Sequence, residues 1–229
     1  MIDVFFISGT MCTKDLWQYI LPYLKNINPI HIDITSASSF DEINNIILES
    51  ISSPTILVGF SLGGFSAMNF TSQYPEKVEK LVVIAANSKG LDSNEIKIRK
   101  NSIAFLEKHS YKGISQARVQ QFLHPNNHNN QEIIAIVKKM DAHLGKDVLI
   151  RRLKATSKRI DITHQLKSYK KQILLISAEN DILINPTEIK QLSKEMSRST
   201  HVNLKQCGHM IPLEKPKELV YLLHLFIDS

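Results

Sequence analysis

Short apolar runs alternate with amphipathic stretches along most of this chain. Residues 4–7, 29–32, 55–58, 78–86 and 172–178 are mostly apolar over a strand's length, and several are rich in β-branched residues. Runs of that kind mark strands covered on both faces, as in a parallel sheet. Between them apolar residues recur at helical spacing. Leu16, Trp17, Ile20, Leu21 and Leu24 predict a helix over 14–24, and Ile43, Ile46, Ile47 and Ile51 predict one over 40–51. Ser38 or Ser39 is placed to cap the second. A further helix runs from the Gly-rich turn after residue 58 to Tyr74, where Pro75 stops it.

After Asn87 the rhythm changes. Residues 91–165 hold no convincing strand and read as four helices, roughly 94–109, 113–122, 130–143 and 146–157. Alternation then resumes with a strand at 172–178, a helix at 186–196, a short strand at 202–205 and a closing helix at 215–227. Residues 1–90 and 166–229 therefore form one α/β core of about six mostly parallel strands with helices on both faces. Residues 91–165 form a helical lid inserted in it, over the edge where open α/β sheets bind ligands.

The strand at 55–58 runs into Gly59-Phe60-Ser61-Leu62-Gly63-Gly64 and then into a helix. A G-x-S-x-G turn between strand and helix is the sequence form of a nucleophile elbow, with glycines where the turn leaves no room for side chains. Glu179-Asn180-Asp181 follows the 172–178 strand, and Cys207-Gly208-His209 follows the 202–205 strand. The order Ser61, Asp181, His209 puts a nucleophile, an acid and a base on loops leaving one sheet edge, with Glu179 as rival acid. Histidine titrates near neutrality and so suits a general base. A carboxylate behind it would fix its tautomer. An oxyanion would need two donors, for which the amides of Leu62 and Thr10 are the candidates, with Met11 as second choice.

These motifs resemble the α/β-hydrolase family over nearly the whole chain. The residues carrying the likeness are Ser8-Gly9-Thr10, the Gly59–Gly64 elbow, Glu179-Asn180-Asp181 with Pro186, and Gly208-His209-Met210-Ile211-Pro212-Leu213-Glu214-Lys215-Pro216. The resemblance implies the α/β-hydrolase fold, a Ser61-His209-Asp181 triad and hydrolysis of a carboxylic ester through an acyl-enzyme. Size, lid and elbow are similar to small carboxylesterases, including pimeloyl-acyl-carrier-protein methyl ester esterases. An ester with a medium-length apolar acyl part is the expected substrate, met by Met11, Phe60, Phe122 and Met210. The family's two opening antiparallel strands are missing, and Ser8 stands where its oxyanion loop often has histidine. A menaquinone-pathway-type lyase uses the same triad with an arginine four residues after the nucleophile, where this chain has Phe65. A catalytically silent ligand-binding module is the remaining alternative.

Charge adds one feature. The formal net charge is +6. Residues 91–165 carry 14 Lys/Arg against 7 Asp/Glu, and the rest 14 against 15. The basicity thus belongs to the lid, either as a solvated face or as a surface for an acidic partner. The resemblance points to an acyl carrier protein, with Arg118, Arg151, Arg152 and Arg159 as candidate contacts. Two cysteines, Cys12 and Cys207, give no disulfide framework and read as packing residues of a cytoplasmic protein. With His209 they are too few for a structural zinc. No metal, organic cofactor, nucleic-acid partner or stable membrane insertion is expected, and the opening residues make a poor signal peptide.

Overall fold

A computed structural model describes residues 1–229. Six strands form one sheet: β1 (Ile2–Ile7), β2 (Ile27–Ile32), β3 (Thr55–Phe60), β4 (Val78–Ile84), β5 (Gln172–Ala178) and β6 (Ser199–Leu204). Their spatial order is β2-β1-β3-β4-β5-β6 and every neighbouring pair is parallel. Each strand therefore needs a crossover, and the chain supplies helices. Those inside the core are α1 (Phe40–Ser50), α2 (Leu62–Gln73), α7 (Pro186–Glu195), α8 (Ile211–Glu214) and α9 (Pro216–Ile227), while α3 (Ser93–Lys108), α4 (Gln116–Phe122), α5 (Gln131–Thr156) and α6 (Thr163–Leu166) lie between β4 and β5. No helix is long and apolar enough to cross a membrane.

The alternation of side chains along each strand builds two cores, one per sheet face. Val4, Phe6, Ile56, Val58, Val82 and Ile84 face one, packed with Trp17, Leu219 and Leu223. Phe5, Ile7, Leu57, Leu81 and Val83 face the other, under Ile43, Ile47, Phe65 and Ile189. The order in which strands are added reverses between β1 and β3, since β2 lies to one side of β1 and all later strands to the other. The loops leaving β1 and β3 therefore flank the switch point of the sheet, where ligands bind in open α/β folds.

Three elements differ from the sequence pattern. Residues 14–24 form not one helix but two short 3₁₀ turns, Lys14–Trp17 and Leu21–Tyr23. Pro22 has no N–H to continue a helix begun at Lys14, and Leu16, Trp17 and Ile20 are buried just as well from tight turns. Strand β6 begins three residues before the expected Val202. The two helices expected over 130–157 are joined end to end, with Gly145 at φ 70° marking the break between them. The cap of α1 is Ser39, whose Oγ accepts from Glu42 N–H, while Glu42 reaches back to Ser38 N–H.

Candidate active site

Ser61 sits between β3 and α2 at φ 52°, a conformation that costs a non-glycine residue about 1–3 kcal/mol. The surroundings hold it there. Its N–H donates to Ile84 O at 2.8 Å, and its flanking glycines permit contacts that no side chain could. A Cβ on Gly59 would lie 2.3 Å from Gly63 O, and one on Gly63 would lie 2.2 Å from Ile7 O. The serine is thereby lifted to the end of the sheet, at the N-terminus of α2.

His209 arrives from the loop after β6 and is 4% exposed. Its Nε2 is 3.0 Å from Ser61 Oγ, and its Nδ1 is 2.7 Å from Asp181 Oδ2. Asp181 is fixed in turn, since its Oδ1 accepts the amides of Leu183 at 2.8 Å and Ile184 at 3.0 Å. The bond to Asp181 leaves Nε2 as the nitrogen facing Ser61, able to accept its proton. Glu179 is exposed and turns away, accepting from Gln206 N–H instead.

The loop after β1 lies against the serine. A Cβ on Gly9 would stand 3.1 Å from Ser61 Cβ, and Cys12 N–H closes a turn onto Gly9 O at 3.2 Å. The amides of Thr10 and Leu62 donate to no acceptor within the protein, which leaves both free for a ligand oxygen. Ser8 does not point at that space. Its Oγ accepts from Trp17 Nε1 at 2.9 Å and lies 3.0 Å from both Thr13 O and His31 Nε2. It ties the loop to the first 3₁₀ turn and to β2. Burial holds the His31 imidazole below its ordinary pKa.

Glu214 is a part of the site that the sequence pattern did not single out by role. Its Oε2 accepts His124 N–H at 2.7 Å and Asn127 Nδ2 at 2.9 Å, and its Oε1 accepts Gly208 N–H at 3.0 Å. His209 N–H donates to Phe122 O at 2.7 Å. The end of α4 and the histidine loop are thus sewn together, and Gly208 allows it, because a Cβ there would fall 2.5 Å from Phe122 O. Burial is the largest influence on Glu214 and raises its pKa, against the donors around it, which lower it.

The expected substrate contacts divide. Phe60 and Met210 are 1% and 3% exposed, and the Phe60 ring packs 5.1 Å from the His209 ring, so both back the site instead of lining it. Met11, at φ 54°, and Phe122 remain partly open. The four arginines divide as well. Arg118 is exposed, with its guanidinium 4.7 Å from the Phe122 ring. Arg151 donates to Thr35 O at 3.1 Å. Arg159 donates to Asn87 O at 2.8 Å and stacks 4.2 Å over Phe65. Arg152 is 2% exposed and bonded to Ile34 O, so it is no surface contact, and that expectation is corrected. Backbone carbonyls hold three of these heads, those of Thr35, Ile34 and Asn87 accepting from Arg151, Arg152 and Arg159 in turn. Cys12 and Cys207 are buried free thiols, and burial pushes Cys12 up to about 12.

A serine, a histidine and an aspartate joined by hydrogen bonds at the switch point of a parallel, doubly covered sheet define a class of protein with a nucleophile elbow. Residues 28–216 match the alpha/beta hydrolase fold family model, and the chain belongs to that family. It is 27% identical over 183 residues to the alpha/beta hydrolase domain-containing protein VTE7 of Arabidopsis thaliana, covering 78% of this chain and 55% of that protein. It is 24% identical to a pimeloyl-[acyl-carrier protein] methyl ester esterase of Wigglesworthia glossinidia brevipalpis, over 100% of this chain and 94% of that one. The fold superposes on a thermophilic esterase from Thermogutta terrifontis with a TM-score of 0.89 at 14% identity, over 100% of this chain and 90% of that chain.

Proposed function

We propose that the protein is a serine hydrolase of carboxylic esters working through an acyl-enzyme on Ser61. The observation that carries this reading is the unbroken chain from Ser61 Oγ through His209 to Asp181, at 3.0 Å and 2.7 Å. His209 Nε2 takes the Ser61 proton as Oγ attacks the ester carbonyl, and Asp181 stabilises the imidazolium without being protonated. The developing oxyanion lies between the amides of Thr10 and Leu62. One such donor is worth about 3–4 kcal/mol of barrier. The imidazolium then protonates the departing alcohol. Water, deprotonated by the same histidine, releases the acid. Similarity to a pimeloyl-[acyl-carrier protein] methyl ester esterase supports an ester substrate.

Helices α3 to α6 serve as a lid in this reading, with Phe122 as an apolar wall over the acyl group. An acidic acyl carrier protein would meet the lid at exposed Arg118 and its lysines, in the cytoplasm. Hydrolysis of p-nitrophenyl esters of increasing acyl length tests the reading. Turnover that peaks at intermediate length and disappears in Ser61→Ala is expected. Turnover surviving in that variant above a few per cent would remove Ser61 as the nucleophile.

A further inference from the structure

The loop from Ser8 to Thr13 carries a candidate oxyanion donor yet is barely held by its own backbone. Inside it one backbone hydrogen bond is made, from Cys12 N–H to Gly9 O at 3.2 Å, and Met11 sits at φ 54°. A non-glycine residue at positive φ persists only where its surroundings enforce it. A side chain supplies much of that enforcement. Ser8 is 4% exposed, and its Oγ meets partners from three segments: Trp17 Nε1 at 2.9 Å, Thr13 O at 3.0 Å and His31 Nε2 at 3.0 Å. Trp17 is packed in turn, 1% exposed and edge-on to Phe6 with ring centroids 5.1 Å apart. His31 is fixed by β2, in register with Phe6 of β1.

Counting protons assigns the direction of each bond. A hydroxyl has one proton to give and two lone pairs to offer. The indole N–H only donates and Thr13 O only accepts, so Ser8 receives from Trp17 and gives its proton to Thr13. One lone pair is left for His31, whose Nε2 then carries a proton. With that assignment all three contacts are hydrogen bonds and the hydroxyl is saturated. Thr10 N–H, two residues on, donates to no acceptor within the protein, and Gly9 between them lies against Ser61. We propose that Ser8, closed by Trp17 and an Nε2-protonated His31, is a positioning residue that aims Thr10 N–H at the substrate's oxyanion. The Ser8 hydroxyl bonds to no member of the triad, so it acts through the loop. The proposal rests on the ester-hydrolase reading and adds to it what holds one of the two donors in place.

The test is Ser8→Ala, assayed with p-nitrophenyl butyrate and with butyl trifluoromethyl ketone as inhibitor. Ser61 Oγ adds to the ketone's carbonyl carbon, its proton passes to His209, and the carbonyl oxygen becomes an oxyanion held as in the transition state. A group displaced by about 1 Å costs on the order of 10² in rate. The expected result is a fall in kcat of about 10- to 100-fold with KM within about three-fold, and a rise in the ketone's inhibition constant by a similar factor. A merely structural serine would lower Tm and leave those constants alone. Folded Ser8→Ala with kcat within about two-fold of wild type, or an unchanged inhibition constant beside a fallen kcat, overturns the proposal. His31→Ala and His31→Gln cover the case in which Ser8→Ala does not fold. Glutamine carries an N–H donor as many bonds from Cα as Nε2, so it should recover most of the kcat that alanine loses. Equal loss in both, or loss in neither, overturns the proposal. Nitrogen NMR of the His31 ring at neutral pH should place a proton on Nε2. A proton on Nδ1 alone would mean that Ser8 gives its own proton to His31 and releases Thr13, which also overturns it. A wild type that turns over no ester and captures no ketone removes the hydrolase reading and this proposal together, whereas an active wild type with an indifferent Ser8→Ala removes this proposal alone.

Discussion

Glu214→Gln is the substitution through which the coupling of α4 to the histidine can be measured. The carboxylate accepts from His124 N–H, Asn127 Nδ2 and Gly208 N–H, using both oxygens. An amide has one oxygen, so whichever way Gln turns, its NH₂ faces a backbone N–H. A backbone donor left without an acceptor in a mostly buried place costs about 1–3 kcal/mol. For a domain of this size about 2 kcal/mol lowers Tm by roughly 4–8 °C. The effect on chemistry is larger if the clamp positions the base. Gly208 precedes His209, and His209 N–H is itself held by Phe122 O at 2.7 Å. A displacement of about 1 Å in a reacting group costs on the order of 10² in rate. The expected result is therefore a 10- to 100-fold fall in kcat for p-nitrophenyl butyrate, per labelled active site, with KM changed by less than about three-fold. The assay pairs that kinetics with thermal unfolding of the same preparation. A variant with lowered Tm but kcat within two-fold of wild type would refute the coupling, leaving Glu214 as a structural tie alone.

Asp181→Asn is expected to lower turnover by about 10⁴ through loss of the correct histidine tautomer, while Glu179→Gln changes it less than two-fold. Steady-state rates with one short ester check both, and the reverse ranking would move the acid to Glu179. Gly63→Ala drives a Cβ to 2.2 Å from the backbone Ile7 O and should yield no soluble folded protein; a variant melting within 2 °C of wild type, no more than the shift expected from about 1 kcal/mol, contradicts the elbow packing. His31 has its pKa lowered by burial, so the folded state binds fewer protons there than the unfolded state. Its stabilising contribution is present above the unfolded value near 6.5 and is lost as pH falls toward the lower folded value. Tm should therefore decline between about pH 7 and 5, and the decline should be shallower in His31→Gln; an unchanged slope would mean other groups set it.

Much of this was legible because parallel strands covered on both faces read as apolar runs, and because the elbow demands glycine at fixed places. Gly59 and Gly63 are required by contacts of 2.3 Å and 2.2 Å, so the motif carried its own geometry. Asp181 and His209 could be picked out because each follows a strand whose end lies on the same sheet edge. What was not legible depends on partners that leave no mark in the sequence. Glu214 binds two backbone amides, and any residue can supply those. The bond from Ser8 to His31 needs β1 and β2 in their observed register, with Phe6 beside His31. Arg152 lies in a dense basic run, Arg151-Arg152-Leu153-Lys154, where charge suggests a solvated face. Only the turn of α5 against Ile34 shows that this one head goes inward. The misread helix over 14–24 has the same origin, since apolar spacing cannot tell a helix from two tight turns that bury the same residues.

Covalent labelling tests the claim that Ser61 is a nucleophile activated by His209 most directly. The native protein is treated with a fluorophosphonate at neutral pH, digested, and the adduct located by mass spectrometry, alongside His209→Ala. The expected result is one phosphonate per chain, on the peptide bearing Ser61, formed at least about 10²-fold faster in wild type than in His209→Ala. Labelling on another residue, or at equal rates in both proteins, would contradict the assignment of Ser61 and His209 as one catalytic unit.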